Sequence, residues 1–349
     1  MSEHAEVLGV EVAAVSSWIG HRVSSLTPPF TWTRLKGGHS NLTYRITDLH
    51  GNDAVVRRPP LGELLPTAHD MGREFRVISA LAPTAVPVAP PIAFCEDSSV
   101  TGAPFYVMGL VDGKTLYTLD DTLAYVPEQR RGRLGESFID VLTDLHSLDP
   151  DRIGLGDLGR RDQYVARQLH RWYASWNASR EAAAIELPVV DRLHELLTAR
   201  VPEQGAARVV HGDYGLHNCM VGPDHTIAAV LDWEISTLGD PLADLAYALN
   251  GWVEPGDAIA TRDRAPTLAP GFPSRAQLLD RYASRIGRDV GNIDFYSTFN
   301  YWKTTCILQG VYARYVNAQK SAEGVDLKAM ADLIRRCALL AEQAAASLS

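Results

Sequence analysis

Residues 209–221 read Val209-Val210-His211-Gly212-Asp213-Tyr214-Gly215-Leu216-His217-Asn218-Cys219-Met220-Val221, a polar loop between two short apolar runs. Asp232 follows at the end of a third apolar run, Ala229-Val230-Leu231. The order His-x-Asp-x-x-x-x-Asn, then Asp, is the one phosphoryl transfer needs. One carboxylate must reach an acceptor hydroxyl, while an amide oxygen and a second carboxylate hold magnesium against phosphate oxygens. Magnesium takes oxygen ligands and keeps several waters, so one Asn and one Asp suffice beside a nucleotide. This spacing makes Asp213 the catalytic base or hydroxyl-orienting group, Asn218 and Asp232 metal ligands, and His211 a brace for the loop. A lone His-x-Asp is common by chance; the full set in this setting is not. The competing chemistry is a zinc or manganese hydrolase built on His211, Asp213, His217 and Asp232, but no further His/Asp cluster of suitable spacing accompanies them.

Beyond Asp232 the chain runs Trp233-Glu234-Ile235-Ser236-Thr237-Leu238-Gly239-Asp240-Pro241. An aspartate followed by proline is a helix start: a capping carboxylate, then a residue suited to the first helical position. Asp240 and Asp244 therefore read as capping and bracing groups, and Asp244 in the first turn suits the helix dipole. Glu234 reads equally as a contact to a second magnesium or as a surface residue.

The elements that must carry these loops are visible as periodicities. Residues 3–20 have helical spacing. From Trp32 to Val56 the pattern changes to short strands, with His50-Gly51-Asn52-Asp53 as a hairpin turn. A helix is expected over 68–82, closed by Pro83, then strands near Ile92–Cys95 and Phe105–Val111. Helical spacing then dominates at 132–147, 161–179, 187–201, 241–251, 274–287 and 325–347. Residues 253–273, rich in Pro, Gly and Asp, read as a long loop or lid. The expected class is α+β: an N-terminal, sheet-rich lobe over 1–108, a hinge at 109–113 and a helical lobe over 114–349.

Length supports two lobes, since 349 residues exceed what one compact core usually holds. The net charge of −9 argues against non-specific nucleic-acid binding, which needs clustered Lys and Arg. Cys95, Cys219, Cys306 and Cys337 are dispersed, as reduced thiols would be. The N-terminus carries Glu3, Glu6 and Glu11 rather than a basic segment, and no apolar run approaches the roughly 18 residues of a membrane span. A cytoplasmic protein without membrane partners is the expectation.

With these motifs in place, the chain resembles the aminoglycoside phosphotransferase and choline kinase-like superfamily. The likeness rests on His211-Gly212-Asp213 through Asn218, on Leu231-Asp232-Trp233-Glu234, and on Gly239-Asp240-Pro241-x-x-Asp244-Leu245-Ala246. Within it, the chain resembles the N-terminal kinase-like domain of acyl-CoA dehydrogenase family members 10 and 11 and their free-standing bacterial relatives. Arg57-Arg58-Pro59-Pro60, Leu64-Leu65-Pro66-Thr67-Ala68-His69, Arg73-Glu74-Phe75 and Leu231–Thr237 carry that branch likeness, which covers residues 30–320.

The resemblance implies a protein kinase-like two-lobed fold, ATP or GTP with Mg2+, and transfer of the γ-phosphoryl group to a hydroxyl of a small molecule. It places Lys36-Gly37-Gly38-His39-Ser40-Asn41 at the turn that covers the phosphates, where small residues let backbone N–H groups approach. It places Arg57 where kinases have a phosphate-binding lysine, with Glu74 as partner; Arg58 is the alternative. Arginine there is a departure, since it is a planar fork rather than a point charge. Met108 would line the adenine pocket, and the backbone of Gly109 and Val111 would bond the base edge.

On the acceptor side, Trp172 and Trp176 share a helix face and read as core or as ligand cage, as do Trp252, Tyr301 and Trp302. Tyr214 and His217 read as loop residues that could face the acceptor. The branch likeness implies a hydroxyacyl or acyl-CoA-type acceptor first. An aminoglycoside-like antibiotic is the alternative, and Arg57 leaves open a nucleotide-binding pseudokinase. A monomer or homodimer is expected.

Overall fold

The structure, a computed structural model, describes residues 7–35, 41–62, 69–287, 289–317 and 325–348. It divides into two units, Met1–Lys114 with Met220–Ile235, and Thr115–Cys219 with Ser236–Ser349.

The first unit opens with helix α1 (Val12–Arg22), then strands β1 (Thr31–Arg34), β2 (Leu42–Thr47) and β3 (Asp53–Arg58). Helix α2 (Met71–Leu81) and strands β4 (Pro91–Cys95) and β5 (Phe105–Gly109) follow. The five strands form one antiparallel sheet in the order β1-β2-β3-β5-β4. Alternation explains its inner face: Leu42, Tyr44 and Ile46 point inward, while Arg45 between them is exposed. Val15 and Ile19 of α1 bury against that face. The β2–β3 turn is held by Asp48, whose carboxylate accepts from the backbone N–H groups of Thr27, His50 and Asn52 at 2.7–3.1 Å. Gly51 in this turn has φ 86°, a conformation glycine adopts without steric cost. On α2, Asp70 caps the first turn by accepting from Arg73 N. The helix turns Met71, Glu74, Val77, Ile78 and Leu81 inward.

Next come α3 (Leu119–Tyr125), α4 (Glu128–Ser147), α5 (Tyr164–Ala183) and α6 (Pro188–Ala199), then β6 (Arg208–Val210), β7 (Cys219–Val221), β8 (Ile227–Val230) and β9 (Thr237–Gly239). Helices α7 (Pro241–Asn250), α8 (Arg275–Ile286), α9 (Ile293–Val316) and α10 (Leu327–Ala345) complete the chain. Two strand pairs, β6 with β9 and β7 with β8, carry the polar loops singled out above.

Most expected elements are present, with one large omission. No periodicity announces α9, the helix against which α5, α7 and α10 pack. Its buried positions include Phe295, Phe299, Trp302, Cys306 and Ala313, with Asn300, Lys303 and Gln309 between them. These positions form one broad face, but polar side chains lie among them and apolar ones such as Tyr301, Leu308 and Tyr312 lie on the half-buried face, so no 3.6-residue signal separates the two. The segment 253–273 is irregular, as expected, but it is anchored rather than loose. Ala265 and Thr267 are buried, Thr267 Oγ1 donates to Val253 O at 2.7 Å, and Arg131 Nη1 donates to Pro270 O at 2.8 Å. Among the described residues, no helix is long and apolar enough to cross a membrane.

Candidate functional site

The polar loop of the second unit begins where β6 ends. Gly212 has φ 86°, which turns the chain out of the strand. The buried carboxylate of Asp244 spans this turn, accepting from His211 N at 2.7 Å and Gly212 N at 2.8 Å. His146 Nε2 lies 3.3 Å from the same carboxylate, and His146 Nδ1 meets Tyr282 OH at 2.8 Å. Burial would raise the pKa of Asp244, but His146 and His211 outweigh it and hold the carboxyl below its ordinary range. Asp244 therefore braces the loop backbone as well as opening α7. Asp240 caps α7 by accepting from Leu242 N at 3.0 Å, and its other oxygen accepts from Tyr296 OH at 2.6 Å. His211 is fully buried, and its Nδ1 accepts from Asp213 N at 3.2 Å.

The Asp213 carboxylate is held on both oxygens. Tyr247 OH donates to Oδ1 and Asn218 Nδ2 donates to Oδ2 at 2.9 Å. His217 Nε2 lies 3.4 Å from Oδ1. Burial pushes the pKa of Asp213 up; His217, Tyr247 and His211 more than offset this and bring it down to about 2. Asn218 Nδ2 also donates to Asp213 O at 3.0 Å, so its amide nitrogen is engaged and its oxygen is turned the other way. A Cβ at Gly215 would lie 2.6 Å from the His217 ring and push it aside.

Tyr247 is the residue that sequence reasoning missed. Burial, then Asp213, raise its pKa, so it stays a neutral donor; the charge of Arg262 acts in the opposite sense. The Lys303 ammonium sits 5.4 Å from the centroid of the Tyr247 ring and 5.7 Å from that of Phe299. Burial lowers its pKa, opposed by Asp244 and Asp213. The only signal that could have found Tyr247 is its position two turns into the helix begun by Asp240-Pro241.

A cavity of about 270 Å³ adjoins these groups. His217 and Tyr247 line it, as do Asn300, Tyr301 and Arg262. The ring of Tyr214 lines it too, but its hydroxyl is spent on Phe138 O at 2.7 Å. Trp252 contributes its ring while Nε1 donates to Pro273 O. Trp176 and Trp302 lie in the core, and Trp172 is partly buried against it.

The first unit holds the remaining candidates. Arg57 Nε donates to Glu74 Oε2 at 3.1 Å, and Arg57 Nη2 donates to Asp232 Oδ1 at 3.0 Å. Burial would lower the pKa of Arg57; Glu74, Tyr106 and Asp232 outweigh it, so the guanidinium stays charged. Arg58, the alternative, points the other way: Nη1 donates to Gly9 O and to Thr101 O, and Nε to Pro59 O at 3.1 Å. Asp232 has φ 63°, left-handed for a non-glycine residue, and the turn Trp233–Ile235 follows it. Glu234 is not a free surface residue. Its Oε2 accepts from Asn41 Nδ2 at 3.3 Å and pairs with His69 Nδ1 at 3.3 Å. Burial, then Asp232, raise its pKa, which His69 and Arg57 partly reverse.

Met108 and Gly109 end β5, opposite Val55 and Ala54 of β3. The Gly109 N–H is engaged by Pro90 O at 2.8 Å, so that donor is already taken; Val111 is half-buried in the segment that follows. Of the expected phosphate-covering turn, Gly37, Gly38, His39 and Ser40 lie outside the described residues, as do Leu64–Ala68 of the branch phrase.

Comparison with known proteins completes the picture. The family described as "Phosphotransferase enzyme family" matches residues 31–278. Mouse acyl-CoA dehydrogenase family member 10 is 35% identical over 301 residues, covering 85% of this chain and 28% of that protein. The chain thus spans well under half the length of the curated relatives it matches, 28% of this one and 38% of the rat family member 11. A solved Ralstonia eutropha JMP134 protein, assigned as an aminoglycoside phosphotransferase, is 33% identical with a TM-score of 0.79, covering 95% of this chain and 98% of that one. At 11% identity, a spectinomycin phosphotransferase solved with ADP and spectinomycin shares the fold, with a TM-score of 0.63. By these matches the chain belongs to the phosphotransferase enzyme family, is homologous to part of acyl-CoA dehydrogenase family members 10 and 11, and has the α+β kinase-like fold of the aminoglycoside phosphotransferases.

Proposed function

We propose that the chain is a small-molecule kinase that moves the γ-phosphoryl group of ATP or GTP onto a hydroxyl, with a hydroxyacyl or acyl-CoA-type compound as acceptor. The observation that carries this reading is the Asp213 carboxylate, oriented through both oxygens, with two of its neighbours, Tyr247 and His217, lining a cavity of about 270 Å³. A carboxylate brought down to about 2 is a weak base. Asp213 therefore orients the acceptor hydroxyl and takes its proton late, as that oxygen acidifies on bonding to phosphorus. This timing suits a loose phosphoryl transition state, in which positioning and charge neutralisation do most of the catalysis.

The residues fit a hard divalent ion. Asn218 has its amide nitrogen tied to Asp213, which turns the amide oxygen outward. Asp232 gives Oδ1 to Arg57, and its second oxygen has no hydrogen-bond partner among the described residues. Both donors are the oxygens magnesium prefers. The sequence motif assigns Mg2+ to Asn218 and Asp232, and the ion would neutralise the phosphate charge as transfer proceeds. Arg57, fixed by Glu74, supplies the cation that kinases place on the α- and β-phosphates. The family likeness assigns Gly37, Gly38, His39, Ser40 and Asn41 to covering the phosphates and Met108, Gly109 and Val111 to bordering the base. Relatives linked to acyl-CoA dehydrogenases support an acyl acceptor, as do the apolar walls of the cavity.

The test is transfer from ATP with magnesium to a panel of hydroxy acids and their thioesters, followed by mass spectrometry. Asp213→Ala should lower turnover by about 10²–10⁴-fold with nucleotide affinity little changed. Unchanged turnover in that variant removes Asp213 from the mechanism. Nucleotide binding without transfer across the panel would favour the pseudokinase reading.

A further inference from the structure

Resting on the kinase reading above, we propose that Arg262 is a charge filter for the acceptor: it pairs with an anionic group of the bound molecule and turns cationic ones away. The cavity beside Tyr247 is lined by Phe138, Leu216, Trp252, Leu308 and Leu333 among others, and none of its described lining residues is Asp or Glu. A site built for a polycation would show carboxylates there, because a charge taken from water needs a fixed opposite charge nearby. Arg262 is the one permanently charged side chain in the described lining. Its neighbours in sequence are already used: Asp263 pairs with Arg336, and Arg264 with Asp120 at 2.5 Å. Arg262 itself has no ion-pair or hydrogen-bond partner among the described residues, and it is near enough to Tyr247 for its charge to act on that hydroxyl. The guanidinium thus stands within electrostatic reach of the hydroxyl that holds Asp213.

A second, independent feature also awaits a ligand. Asn300 lines the same cavity and is 1% exposed. Its Nδ2 donates to Ala243 O at 2.7 Å and to Tyr296 O at 3.0 Å, which settles the orientation of the amide. Its Oδ1 has no hydrogen-bond partner among the described residues. A buried acceptor in an apolar cavity costs stability unless a donor fills it. The matching molecule has an apolar body, an anionic group toward Arg262 and a donor toward Asn300. The anion could be a free carboxylate or the phosphates of an acyl carrier.

Binding without nucleotide tests this by calorimetry, using decanoate, decanoyl-CoA, the uncharged N-acetylcysteamine thioester of decanoate, and kanamycin. Arg262→Glu should weaken the preferred anionic ligand by about 10–100-fold and leave the uncharged thioester within about twofold. Arg262→Lys should retain most of the affinity, which separates charge from folding. Whether decanoate or decanoyl-CoA loses more in Arg262→Glu tells which anion Arg262 reads. Kanamycin binding more tightly than both anions, or equal losses for charged and uncharged ligands, overturns the proposal. Magnesium–ATP binding is measured in parallel. Its presence without charge discrimination sinks the filter and spares the kinase reading; its absence sinks the kinase reading, while discrimination is still scored.

Discussion

At the scale of single residues, a carboxylate that must orient a hydroxyl needs its own orientation fixed. Tyr247 and Asn218 do this for Asp213, each through one oxygen. A hydrogen bond to a charged group is worth about 1.5–3 kcal/mol. Tyr247→Phe should therefore lower turnover by about 10–100-fold with little change in nucleotide affinity, read by steady-state kinetics and calorimetry. Asp48 gives a pH test. Desolvation raises its pKa, but bonds from Asn52, Thr27 and His50 prevail and lower it to about 2. A carboxyl depressed on folding adds stability above its unfolded pKa, near 3.9, that is lost as pH falls through the folded one. Asp48→Asn should lower the melting temperature at pH 6, and the gap to wild type should narrow between pH 4 and pH 2. A gap constant across that window would mean that Asp48 acts by shape alone.

At the scale of elements, the hairpin β2–β3 decides which arginine reaches Glu74. Neighbours on a strand point to opposite faces. Arg57 meets Glu74 on α2, while Arg58 faces the N-terminal segment and bonds Gly9 O. The helical unit depends on α9 in the same way. Trp302 is fully buried and donates to Val190 O at 3.0 Å. Trp302→Ala should cost about 3–5 kcal/mol, from lost transfer energy and the cavity left behind, measured by urea unfolding. A loss below about 1 kcal/mol would show that the surrounding helices collapse into the gap.

At the scale of the whole molecule, 42 acidic against 33 basic residues leave a net charge of −9. Such a balance favours solubility and disfavours a phosphate backbone as partner. The contrast with a cavity lined by an arginine and no carboxylates is therefore local, not a reflection of overall charge. A nucleotide that binds only the folded chain stabilises it by mass action. At a hundred times its Kd, ATP with magnesium should add about 2.7 kcal/mol, seen as a higher melting temperature in a thermal-shift assay. No shift at saturating nucleotide would contradict the kinase reading.

The motif His211-x-Asp213-x-x-x-x-Asn218, followed by Asp232, was legible in the chain alone, because the chemistry dictates residue types and their order along neighbouring loops. So were the hairpin and the amphipathic helices, whose patterning is local. Tertiary structure decided what depends on partners distant along the chain. It tied Tyr247 to Asp213, sent Arg57 rather than Arg58 to Glu74, set Asp244 beneath the loop backbone and packed α9 against α5, α7 and α10. Periodicity records only the boundary between water and core. A helix that carries polar side chains on its buried face, and a hydrogen bond between residues 34 positions apart, leave no trace until the chain is packed.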